Sequence, residues 1–365
     1  MSVKPAQVVR VALGERSYDI DIGAGLLDAL GARLTGLRKV THAVVITDDN
    51  VDWPHGERGL ASLKQVGLRA DMLTVPAGEA SKSVDSAAEL WSDMLELGTD
   101  RRTVVVAIGG GVVGDLAGYV AASFARGLAF VQVPTTLLAQ VDSSVGGKVG
   151  VNLPKAKNMV GAFWQPLAVT IDTDLLATLP EREYRSGLAE VVKYGVILDA
   201  AFFEFLEANT AALLAREPAV LAQAIARSCR LKADVVERDE REETGLRAVL
   251  NYGHTFGHAF EAVAGYGELL HGEAISIGME CAARLAAGLG RIPTEFVERQ
   301  RRLLEALGLP VDPPALDPEA LLAAMARDKK VEHGRLRFIL PTRLGHVEGV
   351  DDVPVDAVRA ALGAG

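Results

Sequence analysis

Three histidines in the second half of the sequence have the spacing of metal ligands. His254 and His258 are four residues apart, so they share a face if the segment is helical, and His271 follows soon after. Two neutral imidazoles and one carboxylate are a common Zn²⁺ ligand set that leaves one coordination position open. Glu190 is the best candidate for the carboxylate, because it is a charged residue inside an otherwise apolar helical segment. These residues predict a divalent metal site.

The same residues also have ordinary structural explanations. Lys193 lies one helical turn after Glu190 and would serve as its ion-pair partner. Two polar residues on one face of a helix are usually solvated, so the pair of histidines at 254 and 258 is weak support by itself. The combination with Glu190 and His271 favours the metal site.

A run of glycines is the best candidate for a nucleotide-binding loop. The run GGGVVGD at 109–115 follows the β-branched segment 103–108, which is typical of a buried strand, and opens a helix. Glycines there let backbone N–H groups approach an anion, and a helix N-terminus favours a pyrophosphate. A tight turn that needs positive φ is the alternative, but three consecutive glycines exceed what such a turn needs. The loop predicts a dinucleotide site at Gly110, Gly111, Val112, Val113, Gly114 and Asp115.

Polar residues follow two other predicted strands of the same sheet. Asp48 and Asn50 come after the strand predicted at 43–47, where ribose contacts are expected, although an ordinary acidic turn has the same composition. Thr135 and Thr136 follow a later strand, and their hydroxyls would face the same crevice, although threonine also caps helices. Together with the glycine loop, these residues favour a cofactor site at the carboxyl edge of the sheet.

Basic residues near these sites indicate an anionic ligand. The net charge of the chain is −10, so any such ligand must be met by a local basic site that works against the overall field. Arg247 leads into the histidine segment, and its planar fork together with Lys232 is suited to a substrate carboxylate. Lys155 and Lys157 are further candidates, although lysines of this kind more commonly belong to a solvated loop, and Arg126 by itself is similarly ambiguous.

The elements that must position these residues divide the sequence into two parts. Strands predicted at 43–47, 69–75, 103–108, 128–133 and 168–171 alternate with helical stretches such as 83–97, as in a doubly wound parallel sheet. After residue 180 the pattern predicts helices at 183–197, 200–215, 218–238, 247–264, 272–289, 294–307 and 317–327, then a strand at 336–340. We therefore predict two domains, 1–180 and 181–365, with a ligand in the cleft between them.

Composition excludes several classes of protein. Of 365 residues, 49% are hydrophobic and 24% charged, which is the balance of a soluble globular chain. Two cysteines exclude a disulfide scaffold and a cysteine-rich zinc module, and they suit a reducing compartment. The sequence shows no apolar signal region near Met1 and no uncharged apolar run of about 18 residues. We expect a cytoplasmic protein without a membrane span, and the acidic charge argues against nucleic-acid binding.

Six segments together resemble the 3-dehydroquinate synthase family, and the similarity covers essentially the whole chain. They are GGGVVGDLAGYVAASFARG (109–127), VPTTLLAQVDSSVGGKVGVN (133–152), KNMVGAF (157–163), SGLAEVVKYG (186–195), NYGHTFGHAFE (251–261) and HGEAISIGM (271–279). The resemblance implies an N-terminal Rossmann-like NAD domain, a mostly helical C-terminal domain and an intracellular homodimer of the shikimate pathway, which leads to aromatic amino acids.

The resemblance also implies roles for individual residues. Glu190, His254 and His271 match the metal ligands, for Zn²⁺ or Co²⁺. The implied NAD contacts are Asp48, Asn50, Ala77, Gly78, Glu79, Ala80, Ser81, Lys82, Gly110, Gly111, Val112, Val113, Gly114, Asp115, Thr135, Thr136, Lys148, Lys157, Leu175, Leu176, Ala177 and Thr178. The implied substrate residues are Asp142, Lys148, Asn158, Lys193, Lys232, Arg247, Asn251, His258 and Arg126, the last reaching the phosphate in the neighbouring subunit.

Two features of the sequence leave the match to the family incomplete. The family's late lysine corresponds to Lys329 or Lys330. The run DEREETGLR has one glutamate more than the family pattern, which affects the role of Glu242 or Glu243 but not that of Arg247.

The implied reaction explains the basic residues. Its substrate, 3-deoxy-D-arabino-heptulosonate 7-phosphate, carries a carboxylate and a phosphate, and NAD is regenerated in each turnover. Two related enzymes would suit the same scaffold: a cyclase for a sugar phosphate without a carboxylate, and a metal-dependent polyol dehydrogenase. A binding protein with a decayed site is the alternative from another class, but no candidate catalytic position looks lost.

Overall fold

A seven-stranded sheet organises the first part of the chain. The computed structural model describes residues 4–154, 156–265, 267–327 and 337–363. The strands of this sheet are β1 (Gln7–Val11), β2 (Tyr18–Gly23), β3 (His42–Asp48), β4 (Arg69–Val75), β5 (Thr103–Gly109), β6 (Ala129–Pro134) and β9 (Ala168–Asp172). Between β6 and β9, the chain forms a separate hairpin of β7 (Lys148–Leu153) and β8 (Ala156–Phe163). The order is β1-β2-β9-β6-β5-β3-β4, and all neighbours except the antiparallel pair β1–β2 are parallel.

Helices cover the sheet on both faces. They are α1 (Leu30–Leu37), α2 (Glu57–Gln65), α3 (Val84–Glu96) and α4 (Gly111–Ser123). One apolar cluster includes Leu30 and Leu63, and a second includes Leu90 and Leu116. Every residue of β5 is buried, as its continuous β-branched run predicts for a central parallel strand.

The second part of the chain is mostly helical. Its helices are α5 (Glu181–Leu198), α6 (Ala200–Ala208), α7 (Thr210–Leu214), α8 (Pro218–Arg238), α9 (His254–Ala264), α10 (His271–Gly288), α11 (Thr294–Ala306), α12 (Pro318–Arg327) and α13 (Val355–Ala361). This part of the chain also contains an antiparallel hairpin of β10 (Phe338–Arg343) and β11 (His346–Val350), between α12 and α13. The predicted fold class, a Rossmann-like parallel sheet followed by a mostly helical part, is confirmed.

The chain separates into two compact units. One contains Met1–Leu179 and Lys232–Arg241, and the other contains Pro180–Leu231 and Glu242–Gly365. Of the described helices, none is long and apolar enough to cross a membrane. Lys329 and Lys330, the two candidates for the late lysine, lie outside the described residues, as does Lys155.

The structure corrects two of the predicted helices. The one predicted at 247–264 is two: a 3₁₀ helix at Leu246–Asn251 and then α9, separated at Gly253, whose φ is +79°. That left-handed conformation favours glycine and cannot continue a helix. The helix predicted at 200–215 likewise divides into α6 and α7 at Asn209.

Candidate functional site

The carboxylate of Glu190 is placed in the interior of the second unit by α5. Its side chain is 1% exposed, and its Oε2 forms an ion pair with Nζ of Lys193, one turn later. The ion pair considered from the sequence is therefore real. It leaves the other oxygen, Oε1, directed toward two histidines: Nε2 of His271 lies at 3.5 Å and Nε2 of His254 at 3.6 Å. The pair with Lys193 and a metal site are therefore compatible.

The two histidines come from the first residues of neighbouring helices. His254 begins α9 and His271 begins α10. A Cβ at position 253 would lie 2.8 Å from the backbone nitrogen of Met279, so Gly253 allows the start of α9 to approach α10 closely. The Nδ1 of His254 lies 3.1 Å from the carbonyl oxygen of Tyr252. Because a carbonyl only accepts, Nδ1 donates in this contact, and in the neutral ring Nε2 then holds the lone pair that a metal ion needs.

Glu190, His254 and His271 form a group that suits a divalent ion. One ligand atom from each lies within 4.8 Å of the others, and two imidazoles with one carboxylate leave a coordination position open. A second group, made of His258, Glu261 and His271, meets the same distance criterion and shares one imidazole with the first. The buried oxygen of Glu190 that faces both imidazoles fits a metal ion in the first group.

Burial and two carboxylates act in opposite directions on His271. Burial lowers its pKa, but hydrogen bonds and charges from Glu190 and Glu261 outweigh burial and raise the pKa to about 9. The metal-free site therefore holds a proton that a metal ion must displace.

The other predicted substrate residues of the second unit lie on neighbouring segments. Arg247 and Asn251 are on the 3₁₀ helix that precedes Gly253. Arg247 is 3% exposed, and its Nε lies 3.6 Å from Oε1 of Glu242, one of the two glutamates in the lengthened run. The ring of His258 lies 5.4 Å, centre to centre, from that of His254. Sequence reasoning gave no role to Glu261, although it lies only three residues after His258.

The glycine loop of the first unit lies where a parallel sheet binds ligands. From β3 the chain moves outward to β4 and then returns to the opposite side of β3 to form β5, so strand order reverses between β3 and β5. Ligands bind at such a switch point, at the carboxyl ends of the strands. Asp48 ends β3 and Gly109 ends β5, and α4 starts two residues after Gly109. Both predicted cofactor segments therefore reach the switch point.

Lack of space, rather than backbone conformation, requires the glycines of this loop. Gly110 has an ordinary φ of −74°, so the alternative of a turn with positive φ does not apply to it. A Cβ at position 110 would lie 3.1 Å from the side chain of Thr136, and one at Gly109 would lie 2.6 Å from that of Val113. The bare backbone leaves the first N–H groups of α4 open to an anion.

Polar side chains around the glycine loop differ in whether they already form hydrogen bonds with other residues of the chain. The hydroxyl of Thr136 accepts a hydrogen bond from the N–H of Ala139 at 3.1 Å, as a helix cap would. The Oγ1 of Thr135 is buried without a hydrogen-bond partner among the described residues, so it fits a ligand group. Nζ of Lys82 donates to Oδ2 of Asp115 at 2.5 Å, and burial raises the pKa of Asp115 although Lys82 opposes it.

The loop after β3 is held by its own acidic residues. Oδ1 of Asp48 accepts from the N–H of Asn50 at 3.0 Å, and burial raises the pKa of Asp48. The helical turn that follows, Asp52–Gly56, carries His55, to which the sequence analysis gave no role. Its Nε2 lies 2.8 Å from the hydroxyl of Thr178, and the side chain is 3% exposed. Leu175, another predicted cofactor position, lies in the apolar core, so only its main chain is available to a ligand.

The remaining predicted residues of the first unit are arranged as follows. Nζ of Lys232 donates to the carbonyl of Asp142 and pairs with its Oδ1, both at 2.8 Å. Lys148, Lys157 and Asn158 lie on the strands of the hairpin β7–β8, so Lys157 belongs to a strand and not to a solvated loop, and Asn158 has a φ of +55°. Arg126 is exposed, in a turn with a φ of +67°.

Comparisons with known proteins agree with these features. Sequence profiles described as 3-dehydroquinate synthase N-terminal and C-terminal match residues 72–186 and 187–331. A 3-dehydroquinate synthase of Rhodopirellula baltica is 53% identical over an alignment of 365 positions that covers 98% of this chain and 97% of that protein.

Two solved structures share the fold over nearly the full length. A 2-deoxy-scyllo-inosose synthase, in complex with carbaglucose-6-phosphate, NAD⁺ and Co²⁺, has a TM-score of 0.89 at 27% identity, covering 98% of this chain and 99% of that one. A 2-epi-5-epi-valiolone synthase from Streptomyces hygroscopicus subsp. jinggangensis, with NAD⁺ and Zn²⁺ bound, has a TM-score of 0.87 at 31% identity, covering 96% and 97%.

Proposed function

The chain belongs to the 3-dehydroquinate synthase family, and on that premise we propose that it converts 3-deoxy-D-arabino-heptulosonate 7-phosphate to 3-dehydroquinate and phosphate. The observation that carries this proposal is the group formed by Glu190, His254 and His271, which suits one divalent ion with an open coordination position. The chain is accordingly a phosphorus–oxygen lyase that uses NAD and a divalent metal.

The bound groups supply chemistry that side chains lack. NAD⁺, when bound, accepts and returns a hydride at C5 of the substrate, and Zn²⁺ or Co²⁺ polarises the oxygen on that carbon. We assign the metal to Glu190, His254 and His271. We assign the NAD phosphates to the start of α4 and the NAD ribose to Asp48, because both lie at the switch point of the sheet.

The reaction balances without an external oxidant. Oxidation at C5 makes the neighbouring C6–H acidic, and loss of that proton expels phosphate from C7. Reduction of C5 by the same bound cofactor would follow, and ring opening and an intramolecular aldol closure would then give the product. No net NADH forms, because the electrons removed in the first step return in a later one.

Buried cations in each unit support an anionic sugar phosphate as the substrate. In the second unit, the side chains of Lys193 and Arg247 are 2% and 3% exposed. In the first unit, those of Lys82 and Lys232 are 6% and 8% exposed. Each of these cations has a carboxylate partner in the chain, at Glu190, Glu242, Asp115 and Asp142 respectively, and their positive charge suits the anionic groups of a sugar phosphate. We assign Arg247 to the substrate carboxylate, because its planar fork suits that group.

We further propose a cytoplasmic homodimer. Support for the compartment comes from Cys229 and Cys281, which are both buried and reduced, as expected where disulfides do not form. Support for the dimer comes from Arg126, which is exposed on a strained turn and matches the family residue that reaches a neighbouring active site.

A redox balance tests the proposed function. Purified protein supplied with NAD⁺, Co²⁺ and the heptulosonate phosphate is expected to release phosphate continuously while the NADH absorbance stays flat. Omission of NAD⁺ from protein freed of cofactor should stop phosphate release. NADH that accumulates in proportion to product, with no phosphate released, would instead identify a polyol dehydrogenase.

A further inference from the structure

The imidazole of His271 lies between two carboxylates. Its Nε2 is 3.5 Å from Oε1 of Glu190, and its Nδ1 is 3.7 Å from Oε2 of Glu261. Glu261 is on the second turn of α9, and its side chain is 12% exposed. The two ring nitrogens therefore face different acids, one inside the proposed metal group and one outside it.

The other proposed histidine ligand has a comparable arrangement. His254 directs Nε2 toward the same oxygen of Glu190, at 3.6 Å, and directs Nδ1 toward the carbonyl of Tyr252, at 3.1 Å. Metal-binding histidines usually donate the N–H of the second ring nitrogen to a carbonyl or carboxylate, which fixes the tautomer and the ring orientation. The main chain does this for His254, and Glu261 occupies the equivalent position for His271.

We propose that Glu261 is a positioning residue for the metal site: it accepts the Nδ1–H of His271 and holds Nε2 toward an ion shared with Glu190 and His254. This inference rests on the metal site of the proposed function and adds a residue to it. Glu261 is then an outer partner rather than a ligand, although it belongs to the second possible group with His258.

The burial of the two glutamates favours Glu190 as the metal ligand and Glu261 as a hydrogen-bond partner of His271 outside the ligand set. Glu190 is 1% exposed and directs one oxygen at both imidazoles, whereas Glu261 is 12% exposed and faces the opposite nitrogen of a single ring. An ion held by the first group uses Nε2 of His271, which leaves Nδ1 protonated and in need of an acceptor. Glu261 supplies that acceptor.

Binding of Co²⁺ alone to the metal-free full-length protein tests the proposal. Affinity is measured by competition with a chelator, and the visible absorption bands of bound Co²⁺ report its coordination. Glu261→Ala is expected to weaken Co²⁺ binding by about 10- to 100-fold, the range found for outer partners of metal-binding histidines. Glu261→Gln should lose less, because its amide oxygen still accepts from Nδ1–H. Both variants should keep Co²⁺ bands of wild-type shape once saturated.

A matched control and two contrary results make the test decisive. Glu268→Gln removes the same charge from an exposed position nearby and should bind Co²⁺ within about twofold of wild type. The proposal is overturned if Glu261→Ala, which has no acceptor for Nδ1–H, binds Co²⁺ as tightly as Glu268→Gln does. It is also overturned if Glu261→Gln loses the Co²⁺ bands as completely as Glu190→Gln, because Glu261 would then be a ligand.

These measurements need no substrate. Failure of phosphate release by a protein that binds Co²⁺ as described would refute the proposed function alone. If Glu261→Ala does not fold, Glu261→Leu, which also lacks an acceptor, replaces it in the comparison with Glu268→Gln.

Discussion

Metal binding should strengthen steeply as the pH rises from neutral to about 9. In the metal-free protein, burial lowers the pKa of His271, but Glu190 and Glu261 raise it to about 9, so the imidazole is protonated at neutral pH. A metal ligand needs its lone pair, so the ion must displace this proton. Below this pKa, the proton on His271 competes with the metal ion for the imidazole and weakens metal binding. Above the pKa, the imidazole is neutral and the proton no longer competes.

The size of the effect follows from the pKa. The apparent dissociation constant exceeds the limiting value by the factor 1 + 10^(pKa − pH), which is about 100 at pH 7, about 11 at pH 8 and about 2 at pH 9. We therefore expect Co²⁺ affinity to rise about 50-fold between pH 7 and pH 9, with about one proton released per ion at the lower pH.

Two measurements on metal-free protein test this expectation. Chelator competition at several pH values, corrected for the titration of the chelator, gives the slope of affinity against pH. Calorimetry in buffers of different ionisation enthalpy gives the number of protons released. An affinity that stays constant over this range, or that falls, would refute the assignment of His271 as a ligand whose proton the metal displaces.

Three further outcomes are expected. Arg247→Leu should lower kcat/KM for the heptulosonate phosphate by about 10- to 150-fold, because a charged hydrogen bond contributes about 1.5–3 kcal/mol. Calorimetry should show that this variant binds NAD⁺ and Co²⁺ as the wild type does. Wild-type kinetics would contradict the assignment of Arg247 to the substrate carboxylate. Gly253→Ala should lower the free energy of unfolding in urea by about 1–3 kcal/mol, because φ is +79° and the new Cβ meets Met279; an unchanged midpoint would argue against this. Chelation should abolish phosphate release and Zn²⁺ or Co²⁺ should restore it; full activity without metal would exclude the site.

Strong local patterns allowed the core of the fold to be predicted from sequence. The predicted segments of the buried strands β3 and β5 are continuous β-branched or apolar runs, and that of β6 is interrupted only by Gln132; the structure places each strand within a residue or two of its prediction. The hairpin β7–β8 was not predicted, because glycines interrupt both of its strands. Gly150 and Gly161 pair directly across the hairpin, where either Cβ would meet the opposite backbone. That requirement is tertiary, and of the two strands β8 (AKNMVGAF) shows no alternation of polar and apolar residues.

The side chains of the proposed metal site could likewise be predicted only in part from the sequence. The spacing of His254, His258 and His271 predicted a metal site but did not select two of the three. Only the structure shows that Nε2 of His254 and of His271 face one oxygen of Glu190. His55 and Glu261 were given no role because, in sequence, a lone histidine and a glutamate in a helical segment resemble ordinary surface residues. Their partners, Thr178 and His271, are apparent only after folding.

The choice of substrate tests the proposed function most directly. Arg247 is almost fully buried and is assigned to the substrate carboxylate, so a substrate without that group would leave its charge without a ligand partner. Phosphate release should be measured with the heptulosonate phosphate and with sedoheptulose 7-phosphate, which lacks the carboxylate, under identical NAD⁺ and Co²⁺ concentrations. We expect turnover of the first and none of the second above background. Efficient turnover of sedoheptulose 7-phosphate, with little or none of the heptulosonate phosphate, would contradict the assignment.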